Sequence, residues 1–117
     1  MSVISYATSH ITGRQLVIVL WETVTCGDTG EPFEIADWVG YVNFQAIGTF
    51  NSQTLTMQGS IVGTNYFSLE VPAGTAVTFA AAGGSRCDHL PRYIRPSFGG
   101  SSGGDIDVYM LLRKVRN

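Results

Sequence analysis

Residues 41–61 read YVNFQAIGTFNSQTLTMQGSI, and the alternation in this stretch decides the fold class. Val42, Phe44 and Ala46 fall on one side of an extended chain, Asn43 and Gln45 on the other. After the polar turn Asn51-Ser52-Gln53, Leu55, Met57 and Ile61 alternate with Thr54, Thr56 and Gln58. A period of two belongs to a β-strand with one dry and one wet face. Two such runs around a polar turn predict a half-buried hairpin.

Upstream, Gln15–Thr25 (QLVIVLWETVT) is dense in β-branched and aromatic residues and predicts another strand. Leu16, Ile18 and Leu20 would point one way, Val17, Val19 and Trp21 the other. Both faces are apolar, so this strand is expected to be fully buried or covered by a partner chain. Residues 26–32 (CGDTGEP) form a turn cluster. Phe33–Trp38 fits either one helical turn or an irregular strand. Residues 1–14 are polar and read as an N-terminal arm or edge strand, leaving 15–117 as a single β-sandwich domain.

Downstream, Gly63-Thr64-Asn65 is a turn, and Tyr66–Val71 and Ala76–Ala80 are short strands. Ala81–Ser85, with Gly83 and Gly84, reads as a loop. Arg92–Phe98 is a strand whose Pro96 calls for a sheet edge or a bulge. Gly99–Gly104 (GGSSGG) reads as a mobile hairpin loop before Asp105–Arg113, where Ile106, Val108, Met110 and Leu112 share a face. Seven to eight short strands without helical periodicity predict an all-β, antiparallel β-sandwich of jelly-roll type.

Composition narrows the function. Of 117 residues 44% are hydrophobic and only 14% charged, against about 25% charged in an ordinary soluble domain. Such a surface favours coverage by neighbours, in an oligomer or a larger assembly. The net charge is −2, and the basic residues gather only at Arg92/Arg95 and at Arg113, Lys114 and Arg116, too small a footprint for a nucleic-acid partner. The longest apolar run, Leu16–Trp21, is far short of the ~20 residues of a membrane-spanning helix. The N-terminus lacks the basic start and apolar stretch of a signal peptide, so folding in a cytoplasm is expected. In that setting Cys26 and Cys87 are expected as thiols, although a bridge stays open on sequence.

Each candidate chemical constellation has a simpler reading. Asp105 and Asp107 could begin a Ca²⁺ site, but no third ligand is near in sequence, and they read as a solvated strand edge. Cys87-Asp88-His89 with Cys26 and His10 offers only one short pair, not the paired spacing of a zinc site. A Cys/His nucleophile lacks an orienting group, and the serines form no nucleophile elbow. The expectation is therefore no catalytic residue, no metal and no cofactor. The candidate interface is Leu16, Val17, Val19, Trp21, Trp38 and Tyr41, with Arg92 and Arg95 as polar contacts on opposite faces of their strand.

Two stretches resemble a known group. Val42–Leu69 is similar to the strand–turn–strand pattern, with its QGS and GTN-aromatic segments, of discoidin-like and jelly-roll modules in tailed-bacteriophage particle proteins. Arg92–Ser97 (RYIRPS), the glycine loop and Asp105–Leu112 (DIDVYMLL) resemble their closing hairpin. The likeness spans roughly residues 40–113; it departs at Ile61-Val62, where a polar turn is usual, and at Tyr66, where Trp is common. A free-standing chain of this size resembles a capsid cement (decoration) protein. That resemblance implies a homotrimer on the virion's outer capsid surface, assembled in the host cytoplasm, with the major capsid protein as partner. The alternative it leaves is a glycan-binding or receptor-binding module of a tail or baseplate, offering Trp38, Tyr41 or Tyr66 to a sugar.

Overall fold

The computed structural model describes residues 3–10, 16–35, 39–87, 90–100 and 103–114. Its strands are β1 (Val3–Ile4), β2 (Tyr6–His10), β3 (Leu16–Val24), β4 (Thr29–Gly30), β5 (Phe33–Glu34), β6 (Val39–Thr49), β7 (Leu55–Ser60), β8 (Phe67–Ser68), β9 (Thr78–Phe79), β10 (Gly83–Cys87), β11 (Tyr93–Phe98) and β12 (Asp105–Lys114). No helix occurs among the described residues. The expected seven to eight strands become twelve because several are two-residue pieces that sequence periodicity cannot register.

The strands form two sheets. One runs β10-β6-β12-β3-β2; the other runs β1-β4-β11-β7-β8, with β5 also on β11 and β9 also on β7. The antiparallel pairing is nested: β3 pairs β12, β4 and β5 pair β11, β6 pairs β10, and β7 pairs β8 and β9. This nesting is an antiparallel ribbon wrapped over itself, the jelly roll. Among the described residues only β1 runs parallel to its neighbour, β4.

The alternation in residues 42–58 reports burial correctly. Val42, Phe44, Ala46, Leu55 and Met57 are buried between the sheets, while Asn43 and Gln45 are exposed. The expected hairpin does not form. Gln53 N–H donates to Phe50 O at 2.9 Å in a tight turn with Asn51 and Ser52 at φ 53° and 58°, yet β6 and β7 part into different sheets. Alternation states which face is dry; it does not state which strand is the neighbour. Residues 92–112 need the same correction, since β11 and β12 also lie in different sheets. Ile61 leaves the expected face as well, because β7 ends at Ser60 and Ile61 swings into solvent.

One further expectation changes. Gly83 and Gly84 are not a loop but part of β10, paired with Ala46 and Gln45; two glycines carry no alternation to betray a strand. Pro96 takes the second of its expected places, a bulge, at a register slip inside a sheet. β11 pairs Ser97 with Thr29 and Ile94 with Phe33, so three steps on β11 match four on the neighbouring chain. Phe98 N–H donates to Asp28 O at 2.9 Å, and two residues earlier the Pro96 nitrogen faces the same side, at the join of β4 and β5. The missing donor falls where the ladder is already broken.

β3 and β12 hold a bulge. Val24 faces Ile106 and Trp21 faces Val108, so Glu22 and Thr23 together oppose Asp107. Thr23 adopts φ 58°, and its N–H donates to Asp107 Oδ1 at 3.0 Å. A β-branched residue in the left-handed region is strained by about 1–2 kcal/mol. Thr23→Gly is therefore expected to raise unfolding stability by roughly 0.5–1 kcal/mol, and Asp107→Ala to lower it by about 1 kcal/mol, both read by urea denaturation. A Cβ at Gly30 would stand 2.4 Å from Pro96 Cδ and 2.6 Å from Trp21 Cδ1. Gly30→Ala is expected to cost about 1–3 kcal/mol, seen as a lower denaturation midpoint.

Candidate functional site

Burial sorts the apolar candidates first. On β3, Val17, Val19 and Trp21 point inward and belong to the core, with Val19 and Trp21 wholly buried. They are closed to any partner, which corrects their place in the expected interface. The outward set is Leu16, Ile18 and Leu20, each half-buried. Trp38 lies outside the described residues, and Tyr41 is in β6 with its side chain undescribed.

The register shows what stands beside the outward β3 residues. Ile18 neighbours Leu111 and Leu20 neighbours Tyr109 on β12; Leu111 and Tyr109 neighbour Asn43 and Gln45 on β6; these in turn neighbour Arg86 and Gly84 on β10. The outer face of the five-stranded sheet thus carries an apolar stripe bordered by amides. Over Gly84, which has no side chain, the face sinks into an open depression of about 600 Å³. Ile18, Gln45, Arg86, Tyr109 and Leu111 are among the residues that line it. This stripe was readable in principle: Tyr109 and Leu111 are the second face of a strand whose first face was recognised.

A second surface lies at the end of β7. Ile61 is 70% exposed, Val62 67% and Phe67 48%, and the segment that carries them is held by polar contacts. Gly63 N–H donates to Ser60 Oγ at 2.8 Å. Tyr66 O–H donates to Gly63 O at 3.3 Å. The Arg95 guanidinium lies 3.7 Å from the Tyr66 ring centroid, and Arg95 Nε donates to Gln58 Oε1 at 3.0 Å. The Tyr93 ring packs beneath Gly63. One face of Tyr66, a candidate for sugar stacking, is therefore covered by Arg95.

The structure does not bring Arg92 and Arg95 together. Arg92 Nε donates to Glu34 Oε2 at 2.8 Å in an exposed ion pair, which raises the Arg92 pKa above its ordinary value, the hydrogen bond to Glu34 being the main cause. The carboxylate pair has divided roles: Asp107 braces the β3 bulge, while Asp105 is exposed. Cys26 and Cys87 are both buried, with no disulfide between them. Asp88 and His89 lie outside the described residues, among which no three His, Cys, Asp or Glu side chains converge as metal ligands would.

No family model matches the chain, and no curated protein matches it in sequence. Solved structures resemble it to different degrees. The SPBc2 prophage-derived protein YomS superposes with a TM-score of 0.67 at 14% identity, covering 89% of this chain and 97% of that one. A cupin domain of an XRE-family transcriptional regulator from Enterobacter cloacae gives 0.44 at 10% identity, covering 95% and 96%. An adhesin domain of Lys-gingipain from Porphyromonas gingivalis gives 0.43 at 10%, covering 97% and 85%.

Arg95→Ala is expected to lower stability by about 1 kcal/mol, because it removes a half-buried stacking cation and its hydrogen bond. Arg92→Ala, at an exposed pair, is expected to leave the melting temperature unchanged. Thermal unfolding of the two variants side by side checks the contrast.

Proposed function

We propose that this protein is a structural component of a phage particle, a cement or decoration protein that binds the outer capsid surface and stabilises contacts between major capsid proteins. The observation that carries the reading is the presence of two separate apolar surfaces. One is the Ile18–Leu20–Tyr109–Leu111 stripe on the five-stranded sheet; the other is the Ile61–Val62–Phe67 end of the seven-stranded sheet. A clamp between neighbouring molecules needs more than one contact surface, and exposed apolar patches mark such contacts.

Three further points support it. Residues 40–113 resemble phage particle modules. The fold is shared with a prophage-derived protein over nearly the full length of both chains. The low charge suits a surface that neighbours cover. In this reading the chain works as a homotrimer on the capsid surface after assembly in the host cytoplasm. Binding then sums several modest contacts, and linkage within one oligomer multiplies them into high avidity.

Purified protein added to capsids that lack it is expected to bind saturably and to raise the temperature at which they release DNA. Absence of binding at micromolar protein would overturn the reading.

A further inference from the structure

β10 ends the five-stranded sheet on one side and, among the described residues, is paired only with β6. Its five residues pair with β6 without a slip, and Gly83, Gly84 and Arg86 are exposed. Every second N–H and C=O of such a strand points away from its partner. Edge strands are ordinarily blunted by proline, by a bulge or by brevity. The end strands of the other sheet, β1 and β8, are two residues long; β10 is five, with no proline and no bulge. β10 also borders the depression, which Gly84, Ser85 and Arg86 help to line. β2, at the opposite edge, lends it no residue among those described.

We propose that an extended segment of the capsid protein adds to β10 as a sixth strand and lays an apolar side chain over Gly84 into the depression. The inference rests on the reading of the protein as a capsid binder and names what that partner inserts. Continuity decides the occupant. The depression runs into the apolar stripe through Tyr109 and Leu111, so the molecule that covers the stripe already stands beside β10. Gly84 faces outward, since it pairs with exposed Gln45. Neighbouring strands lie about 4.8 Å apart, so a Leu, Met or Phe of the added strand, laid across Gly84, meets the Gln45 side chain. Backbone bonds to the edge supply affinity, and the space over Gly84 selects a segment with apolar residues at alternate positions.

The full chain is bound to capsids that lack it, and its backbone hydrogen exchange is compared with that of the free chain. The edge-facing N–H groups of Gly83–Cys87 are expected to exchange about tenfold more slowly on the capsid. The variant Gly84→Gln fills the depression. Gly84 is not among the positive-φ glycines, and a Cβ there would meet only Phe44 O, at 3.3 Å, so an unchanged circular dichroism spectrum is expected. That variant is expected to bind capsids about tenfold more weakly. Wild type that binds with β10 exchange unchanged, or folded Gly84→Gln protein that binds as tightly as wild type, overturns the inference and leaves the capsid reading standing. A wild type that does not bind overturns both.

Discussion

The indole of Trp21 is the point on which both sheets converge. It projects from β3 of the five-stranded sheet, wholly buried, and its Nε1–H donates to Glu31 O at 2.9 Å. That carbonyl sits between β4 and β5, on the chain that flanks β11 in the other sheet. A buried indole needs an acceptor, and the break between β4 and β5 supplies one. Pro96 fits the same place because it has no N–H to offer the broken ladder. Gly30 is required there because a side chain would strike both rings. Tyr6 closes the open side edge-on, its ring 6.2 Å from Trp21 and 5.2 Å from Phe33, which ties the first strands to the core.

Seen from that centre, what was legible in the sequence and what was not follows from range. Alternation is a local property, and it placed Val42, Phe44, Leu55, Met57, Ile106 and Val108 inside. Sheet membership is long-range, and tight turns such as Phe50–Gln53 suggested hairpins where the chain passes between sheets. β3 shows the same limit: its doubly apolar pattern announced two covered faces but not which would form the core. Of the candidate interface residues on β3, Leu16 faces outward while Val17, Val19 and Trp21 face inward, because alternation alone does not say which side of a doubly apolar strand meets the other sheet. β10 leaves no signature in the sequence, since Gly83 and Gly84 carry no alternation.

The candidate surfaces depend on departures from regularity. The stripe on the five-stranded sheet is concave because glycine occupies β10, where a side chain would fill the space. The other surface exists because β7 stops at Ser60 and the following apolar pair sits on a turn closed by the hydrogen bond from Gly63 N–H to Ser60 Oγ. Ile61-Val62 is also where the sequence leaves the phage-module pattern. A polar turn would have been the solvent-compatible choice, and apolar residues on a braced loop carry a standing solvation cost that contact with a neighbour removes.

The nested pairing also sets an order in time. β3 pairs β2 along one edge but meets its other neighbour, β12, only near the other end of the described chain, and β4, β5 and β6 likewise pair distant segments. Contacts of such long sequence separation slow folding, since loop closure precedes the energy that rewards it. On a ribosome the doubly apolar β3 emerges long before β12 can cover it. Until synthesis reaches residue 114 one edge of its hydrophobic strand stays unpaired, a window in which chaperone binding or misassociation competes with the native fold.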